Sequence, residues 1–167
     1  RRLPAIDGCQ ALGLSAAYKA ERPYGHQPAV AGIRDGASLP RLFALANTLA
    51  TPVAERLRLL RWAIFQVLIG NTDAHAKNLM FMQGTGGLTL ARAYDLVCCT
   101  LYAEHLDDHF AMAIGDAFQS AEISALEWAT LCLRAKLPPA LVRKELRQMA
   151  QGLRQQMAAV RHEVLTE

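Results

Sequence analysis

A strongly apolar stretch that ends abruptly in a polar loop constrains this chain more than any other feature. Leu57, Leu60, Ile64, Phe65 and Leu68 recur at three- and four-residue steps, so they line one face of a helix that stops at Gly70. Thr51-Pro52 supplies its N-cap and first helical residue. The chain then reads Asn71-Thr72-Asp73-Ala74-His75-Ala76-Lys77-Asn78 before apolar residues resume. Leu79-Met80-Phe81-Met82 and Leu88-Thr89-Leu90-Ala91 flank a glycine-rich turn, the pattern of a β-hairpin, and Asp95 sits at its exit.

The flanking sequence is mostly helical in pattern. Residues 1–37 carry scattered glycine and proline and read as a loop-rich entry with one short helix over 6–12. From Ser38, an expected N-cap, Leu39, Leu42, Phe43, Ala46 and Leu49 mark a helix with Pro40 in its first turn, so 38–70 holds two helices. After the loop and hairpin of 71–96, residues 97–167 read as C-terminal helices. Ser124-Ala125-Leu126-Glu127 is a capping box opening a helix to about Lys136. Pro138-Pro139 precedes a last helix whose Leu146, Met149, Leu153, Met157, Val160 and Val164 form a packed stripe. The expected fold class is mainly α with one small hairpin, in a single domain.

Composition fits this picture. With 167 residues, 52% hydrophobic and 20% charged, the chain is no disordered tail and needs neither disulfide nor structural metal to close a core. Cys9, Cys98, Cys99 and Cys132 form no CxxC pair and read as free thiols in a reducing compartment. A net charge of +3 is far from a dedicated nucleic-acid surface. No uncharged apolar run approaches the roughly 20 residues that span a bilayer, so no membrane partner is expected and the expected location is cytoplasmic. The first residue is Arg1, which suggests a piece of a longer chain.

The chemistry lies in Asp73-x-x-x-x-Asn78, then a hairpin, then Asp95. Phosphoryl transfer from a nucleotide needs a carboxylate beside the acceptor hydroxyl and oxygen ligands for magnesium. Protein kinases carry Asp and Asn at this separation in the catalytic loop, with a metal-binding Asp beyond a short hairpin. The His-Arg before the first Asp and the Phe-Gly after the second are absent here. Asp73 and Asn78 are also residue types that cap turns through local hydrogen bonds. Asp95, beside Tyr94, Leu96 and Val97, is expected in an apolar setting, where a carboxylate is costly unless it is bonded or meets a cation. His75 either makes an ordinary hydrogen bond or contacts the phosphate and Asp73; Lys77 is either a solvated charge or a point charge near phosphate. Gly84-Thr85-Gly86-Gly87 lacks the Lys-Ser/Thr ending of a phosphate-binding loop. A separate cluster, His105-Leu106-Asp107-Asp108-His109, would put two histidines on one helix face as ligands of a metal-dependent hydrolase.

The run Phe65-Gln66-Val67-Leu68-Ile69-Gly70 followed by Asn71 to Asn78, with Ala93-Tyr94-Asp95-Leu96 and the upstream Cys9-Gln10-Ala11-Leu12-Gly13, resembles the C-terminal region of HipA-type toxin kinases. The resemblance covers essentially the whole chain, and the histidine two residues past the loop Asp is also similar to phosphoinositide kinases. It implies a helical kinase C-lobe whose hairpin carries the metal-site Asp. The implied activity is that of a serine/threonine protein kinase, the toxin of a bacterial toxin–antitoxin pair, using ATP and magnesium on a protein substrate such as an aminoacyl-tRNA synthetase. Asp73 would be the catalytic carboxylate, with His75 and Lys77 beside it, and Asn78 and Asp95 the magnesium ligands. A HipB-like DNA-binding antitoxin would be the partner, with DNA reached only through it. The family's nucleotide loop and ATP-contacting lysine lie in an N-terminal lobe that no segment here replaces, so the expectation for these residues alone is weak ATP binding and negligible turnover. A non-catalytic module binding an antitoxin or that lobe in trans is the alternative. Arg92 stands where the family usually has proline.

Overall fold

The chain enters as a strand. The computed structural model describes residues 4–102 and 108–166. β1 (Ala5–Asp7) pairs antiparallel with β2 (Met80–Gly84), which pairs with β3 (Gly87–Leu90), so the expected hairpin supplies two strands of a three-stranded sheet in the order β1-β2-β3. Three residues are too few to show periodicity, and their partner lies far along the chain, so the sequence hides this strand. The short entry helix begins only after it, as α1 (Gly8–Ala11).

α2 (Leu39–Ala46) and α3 (Pro52–Ile69) follow as expected, and Gly70 closes α3 in the left-handed conformation (φ 65°), which glycine adopts without steric cost. Ser38 and Thr51 hold the N-cap positions, yet neither side chain caps its helix. The buried face of α3 also differs from the expected stripe. Leu59, Leu60, Trp62, Ala63 and Ile64 are buried, whereas Leu57, Phe65 and Leu68 are half-buried. The helix packs against α2, α5 and β3 at once, so its buried surface extends around several sides.

The segment expected to be purely helical contains a second hairpin, β4 (His109–Ile114) with β5 (Ala117–Gln119). It contributes Phe110, Met112, Ile114 and Phe118 to the interior. His109 therefore opens a strand and cannot share a helix face with His105, which lies outside the described residues. α4 (Ala125–Ala135) is capped by Ser124, which accepts the Glu127 N–H at 3.4 Å. Glu127 does not close the box; its carboxylate accepts the Asp116 N–H at 2.6 Å instead. α5 (Pro139–Thr166) packs on α3 and α4 through Val142 and half-buried Leu146, Met149 and Leu153. Beyond these, Met157 and Val160 are 63% and 55% exposed, so the apolar stripe outruns the body it packs on. The side chain of Val164 lies outside the described residues.

One continuous core joins α2, α3, α4, both hairpins and the start of α5. All four cysteines are free, three of them buried. Among the described residues no helix is long and apolar enough to cross a membrane.

α1 approaches the polar loop so closely that a Cβ on Gly8 would lie 2.4 Å from the Ala76 carbonyl oxygen. Since that obstacle is backbone, Gly8→Ala is expected to lower stability by about 1–3 kcal/mol in thermal or denaturant unfolding, whereas the same change at Gly152, inside α5 with open space around it, is expected to raise stability by up to about 1 kcal/mol.

Candidate functional site

The polar loop is built as one strap across the ends of α3, β1 and β4. Asn71 follows the left-handed Gly70 and is almost fully buried, a position that demands hydrogen bonds for both ends of its amide. Its Nδ2 donates to Gln66 Oε1 at 2.8 Å and to the Asp95 carbonyl at 2.9 Å, and its Oδ1 accepts from Cys99 Sγ at 3.3 Å. One buried side chain thus ties α3, the loop and the segment after β3 together. Thr72 hands its carbonyl to the Ala111 N–H of β4 at 2.8 Å, and Ala76 donates its N–H to the Lys19 carbonyl at 3.0 Å.

The loop ends in a tight helical turn over Ala76–Asn78. Asn78 Oδ1 accepts the His75 N–H at 2.9 Å, and Asn78 Nδ2 donates to the carboxylate of Asp95. Asp95 itself sits at φ 56°, a left-handed conformation that a non-glycine residue adopts at a cost and that Asp tolerates better than most. The Asn71 amide on its carbonyl and the Asn78 amide on its carboxylate fix it there. Contrary to the apolar setting expected from its neighbours, Asp95 is exposed, because Leu96 and Val97 also face outward, at 45% and 42% exposure.

Asp73 and Asp95 line one cleft of about 480 Å³, together with Ala20, His26, Asn71, Thr72, His109 and Ala111. The Asp73 side chain is 70% exposed at its mouth. A second groove of about 250 Å³ is lined by Asn78 with the apolar Phe65, Leu79, Met80, Leu90 and Leu96 and with the arginines Arg58, Arg61 and Arg92. Asn78 lines this groove and Asp95 the larger cleft, so the Asn78–Asp95 bridge stands between the two.

His75 is buried, with Nε2 3.8 Å from Asp73 Oδ1, too far for a hydrogen bond, and its Nδ1 has no hydrogen-bond partner among the described residues. Burial lowers its pKa below the ordinary imidazole value, and the Lys19 ammonium adds to the effect against the opposing pull of Asp73. Lys77 does not reach either cleft. Its Nζ lies 2.6 Å from Asp7 Oδ2 on the sheet side of the loop.

The donor set at the bridge, one amide oxygen and one carboxylate, consists of hard oxygen ligands of the kind magnesium accepts. Asn78 Oδ1 has a second lone pair beyond the one facing His75, so it can meet a cation without giving up that bond. No group of three or more His, Cys, Asp or Glu side chains converges on a metal position among the described residues, so an ion held here would depend on phosphate oxygens for the rest of its shell. Asp7, Gln66 and Asn71 are site-building residues that motif reading passes over. Asp7-x-x-Gln10 resembles a capping pattern, and a polar residue directly after a helix-ending glycine is a weak further signal.

Comparison with known proteins identifies relatives of the chain as a whole. The family model described as the HipA-like C-terminal domain matches residues 1–157. A relative from Shewanella oneidensis named "Serine/threonine-protein kinase toxin HipA" is 39% identical over 93% of this chain, and "Putative kinase Y4mE" of Sinorhizobium fredii is 31% identical over 95%. The chain spans only 36% and 35% of the length of these two relatives. Among solved structures, a Shewanella oneidensis complex of HipA, HipB and operator DNA contains a chain that matches with a TM-score of 0.91 at 39% identity, over 95% of this chain and 37% of that one.

The lowered His75 pKa sets a pH dependence. The unfolded chain takes up the imidazole proton near pH 6.5, before the folded one does, so this contribution to stability is complete above about pH 6.5 and is lost as pH falls through the folded-state value. Melting temperatures measured from pH 7.5 down to 5 are expected to fall, and His75→Gln is expected to flatten that part of the profile.

Proposed function

The chain belongs to the HipA-like C-terminal domain family, and on that premise we propose that it is the catalytic C-lobe of a serine/threonine protein kinase acting with ATP and magnesium. The single observation that carries the reading is the Asn78–Asp95 contact, with Asp73 and Asp95 on the walls of one cleft.

Asn78 and Asp95 would hold the magnesium ion, which when bound neutralises charge on the nucleotide phosphates. The 250 Å³ groove beside Asn78 would receive the flat nucleoside against its apolar wall, and the 480 Å³ cleft the acceptor segment. Asp73, exposed at the cleft mouth, orients the acceptor hydroxyl and takes its proton at a carboxylate oxygen. Neutral His75 sits behind it and fixes the loop through its backbone N–H to Asn78. Lys77 supports the loop from the far side.

The acceptor is a protein hydroxyl in this reading, and an aminoacyl-tRNA synthetase is a candidate substrate. The much longer kinase-named relatives support a second lobe that completes the nucleotide site. The similar chain in a complex with HipB and operator DNA supports a HipB-like antitoxin as partner, with DNA reached through it, and a cytoplasmic toxin role.

The two carboxylates should fail differently. In the full chain, Asp95→Asn is expected to abolish magnesium-dependent ATP binding, measured by titration calorimetry. Asp73→Asn is expected to keep ATP binding within about threefold and reduce phosphate transfer by 10²-fold or more. Equal loss of ATP binding in both variants, or of neither activity in either, contradicts the assignment.

A further inference from the structure

The Asp7–Lys77 contact joins two segments that the proposed mechanism does not otherwise connect. Asp7 is pinned three ways. It pairs with Met80 in the sheet, its carboxylate accepts the Gln10 N–H at 2.9 Å, and its own N–H donates to Gln10 Oε1 at 2.9 Å. The next residue, Gly8, donates its N–H to the Leu79 carbonyl at 2.9 Å. The carboxylate that meets Lys77 is thus mounted on a rigid strand-to-helix corner.

Lys77 is held at both ends. Its Nζ lies 2.6 Å from Asp7 Oδ2, and its carbonyl accepts from the Tyr94 hydroxyl. The neighbours of these two residues, Asn78 and Asp95, are the bridging pair, so two adjacent rungs connect the loop to the post-hairpin segment: Tyr94 to Lys77 and Asn78 to Asp95. Burial opposes the charge on Asp7, yet the Lys77 and Gln10 contacts hold its pKa below the ordinary carboxylate value, while Asp7 raises that of Lys77. Both groups are charged at neutral pH.

We propose that Lys77 is a positioning residue: clasped by Asp7 and by the Tyr94 hydroxyl, it sets the register of the loop so that the Asn78 amide meets Asp95, and it does not contact the phosphate. This rests on the reading of Asn78 and Asp95 as the magnesium pair. A direct phosphate role would require the ammonium to leave Asp7 and cross the loop, since Lys77 lines neither cleft. Small displacements of a positioned group cost large factors in rate or affinity, so a clasp one residue from the ligand has leverage.

The test compares Asp7→Asn, Lys77→Met, their combination, and Lys77→Arg in the full chain. Asp7→Asn keeps a capping oxygen for α1 and removes only the charge. The first readout is the magnesium concentration that half-saturates binding of a fluorescent ATP analogue; the second is hydrogen exchange at the amides of 76–79. Each single loss is expected to raise the magnesium requirement about tenfold and speed exchange, with the double variant no worse than either single and Lys77→Arg within about twofold of the unsubstituted chain. If Lys77→Met weakens nucleotide binding while Asp7→Asn leaves it unchanged or tightens it, the ammonium acts on phosphate and the proposal is wrong. Unchanged binding and exchange in all variants reduces the contact to a surface ion pair and also overturns it. If the unsubstituted chain shows no magnesium-dependent binding, the kinase reading fails, and the exchange pattern with its double-variant arithmetic still decides whether the clasp sets the loop.

Discussion

A carboxylate on a backbone at positive φ stays in place only if the surrounding structure over-determines it, and Asp95 is held by two amides. Asn71 takes its carbonyl and Asn78 its carboxylate. Each of those amides is in turn fixed by a bond inside its own segment, Asn71 by Gln66 of α3 and Asn78 by the His75 N–H. Deleting either leaves a polar group in the loop without its partner, at a cost of about 1–3 kcal/mol where it is buried. The strain at Asp95 is compensated by that network and leaves its oxygens at the opening of a cleft.

The rest of the domain serves as a frame for this bridge. Glu21, almost fully buried, accepts the Ala113 N–H at 2.9 Å and pairs with Arg34, which also reaches Asp116 in the turn after β4. Glu21 in turn gives its N–H to the Ala111 carbonyl at 2.8 Å, and Ala111 bonds Thr72. The second hairpin is therefore coupled to the loop through its backbone, with the half-buried Glu21–Arg34 ion pair behind it. On the opposite flank Glu55, buried in α3, accepts the Leu90 N–H at 3.2 Å and links the first hairpin to the helix. The cleft walls are set by elements that are themselves cross-braced.

The loop, the first hairpin and the order of helices were legible because each carries a local signal: a three-four stripe, a left-handed glycine, a polar run between apolar ones. What escaped was of two kinds. β1 is defined by a partner distant in sequence, and Ala5–Asp7 has no pattern of its own, whereas β4 and β5 form a local hairpin whose apolar run Phe110 to Ile114 carries no clean alternation. The apolar setting expected for Asp95 does not form, because flanking residue types stand in for surroundings only where they turn inward, and Leu96 and Val97 point outward. The alternatives left open for Lys77 needed a carboxylate from the first strand to separate them. The stripe on α5 was real but too long, since the body it packs against ends near Leu153 while the helix continues.

The central claim is that Asn78 and Asp95 share one divalent cation beside Asp73. Manganese, a spectroscopic and anomalous stand-in for magnesium, locates it directly. A crystal of the full chain soaked with manganese and a non-hydrolysable ATP analogue should show an anomalous peak about 2.2 Å from Asn78 Oδ1 and an Asp95 carboxylate oxygen, with phosphate oxygens completing the shell. A peak elsewhere, or nucleotide bound with its phosphates away from both side chains, would contradict it.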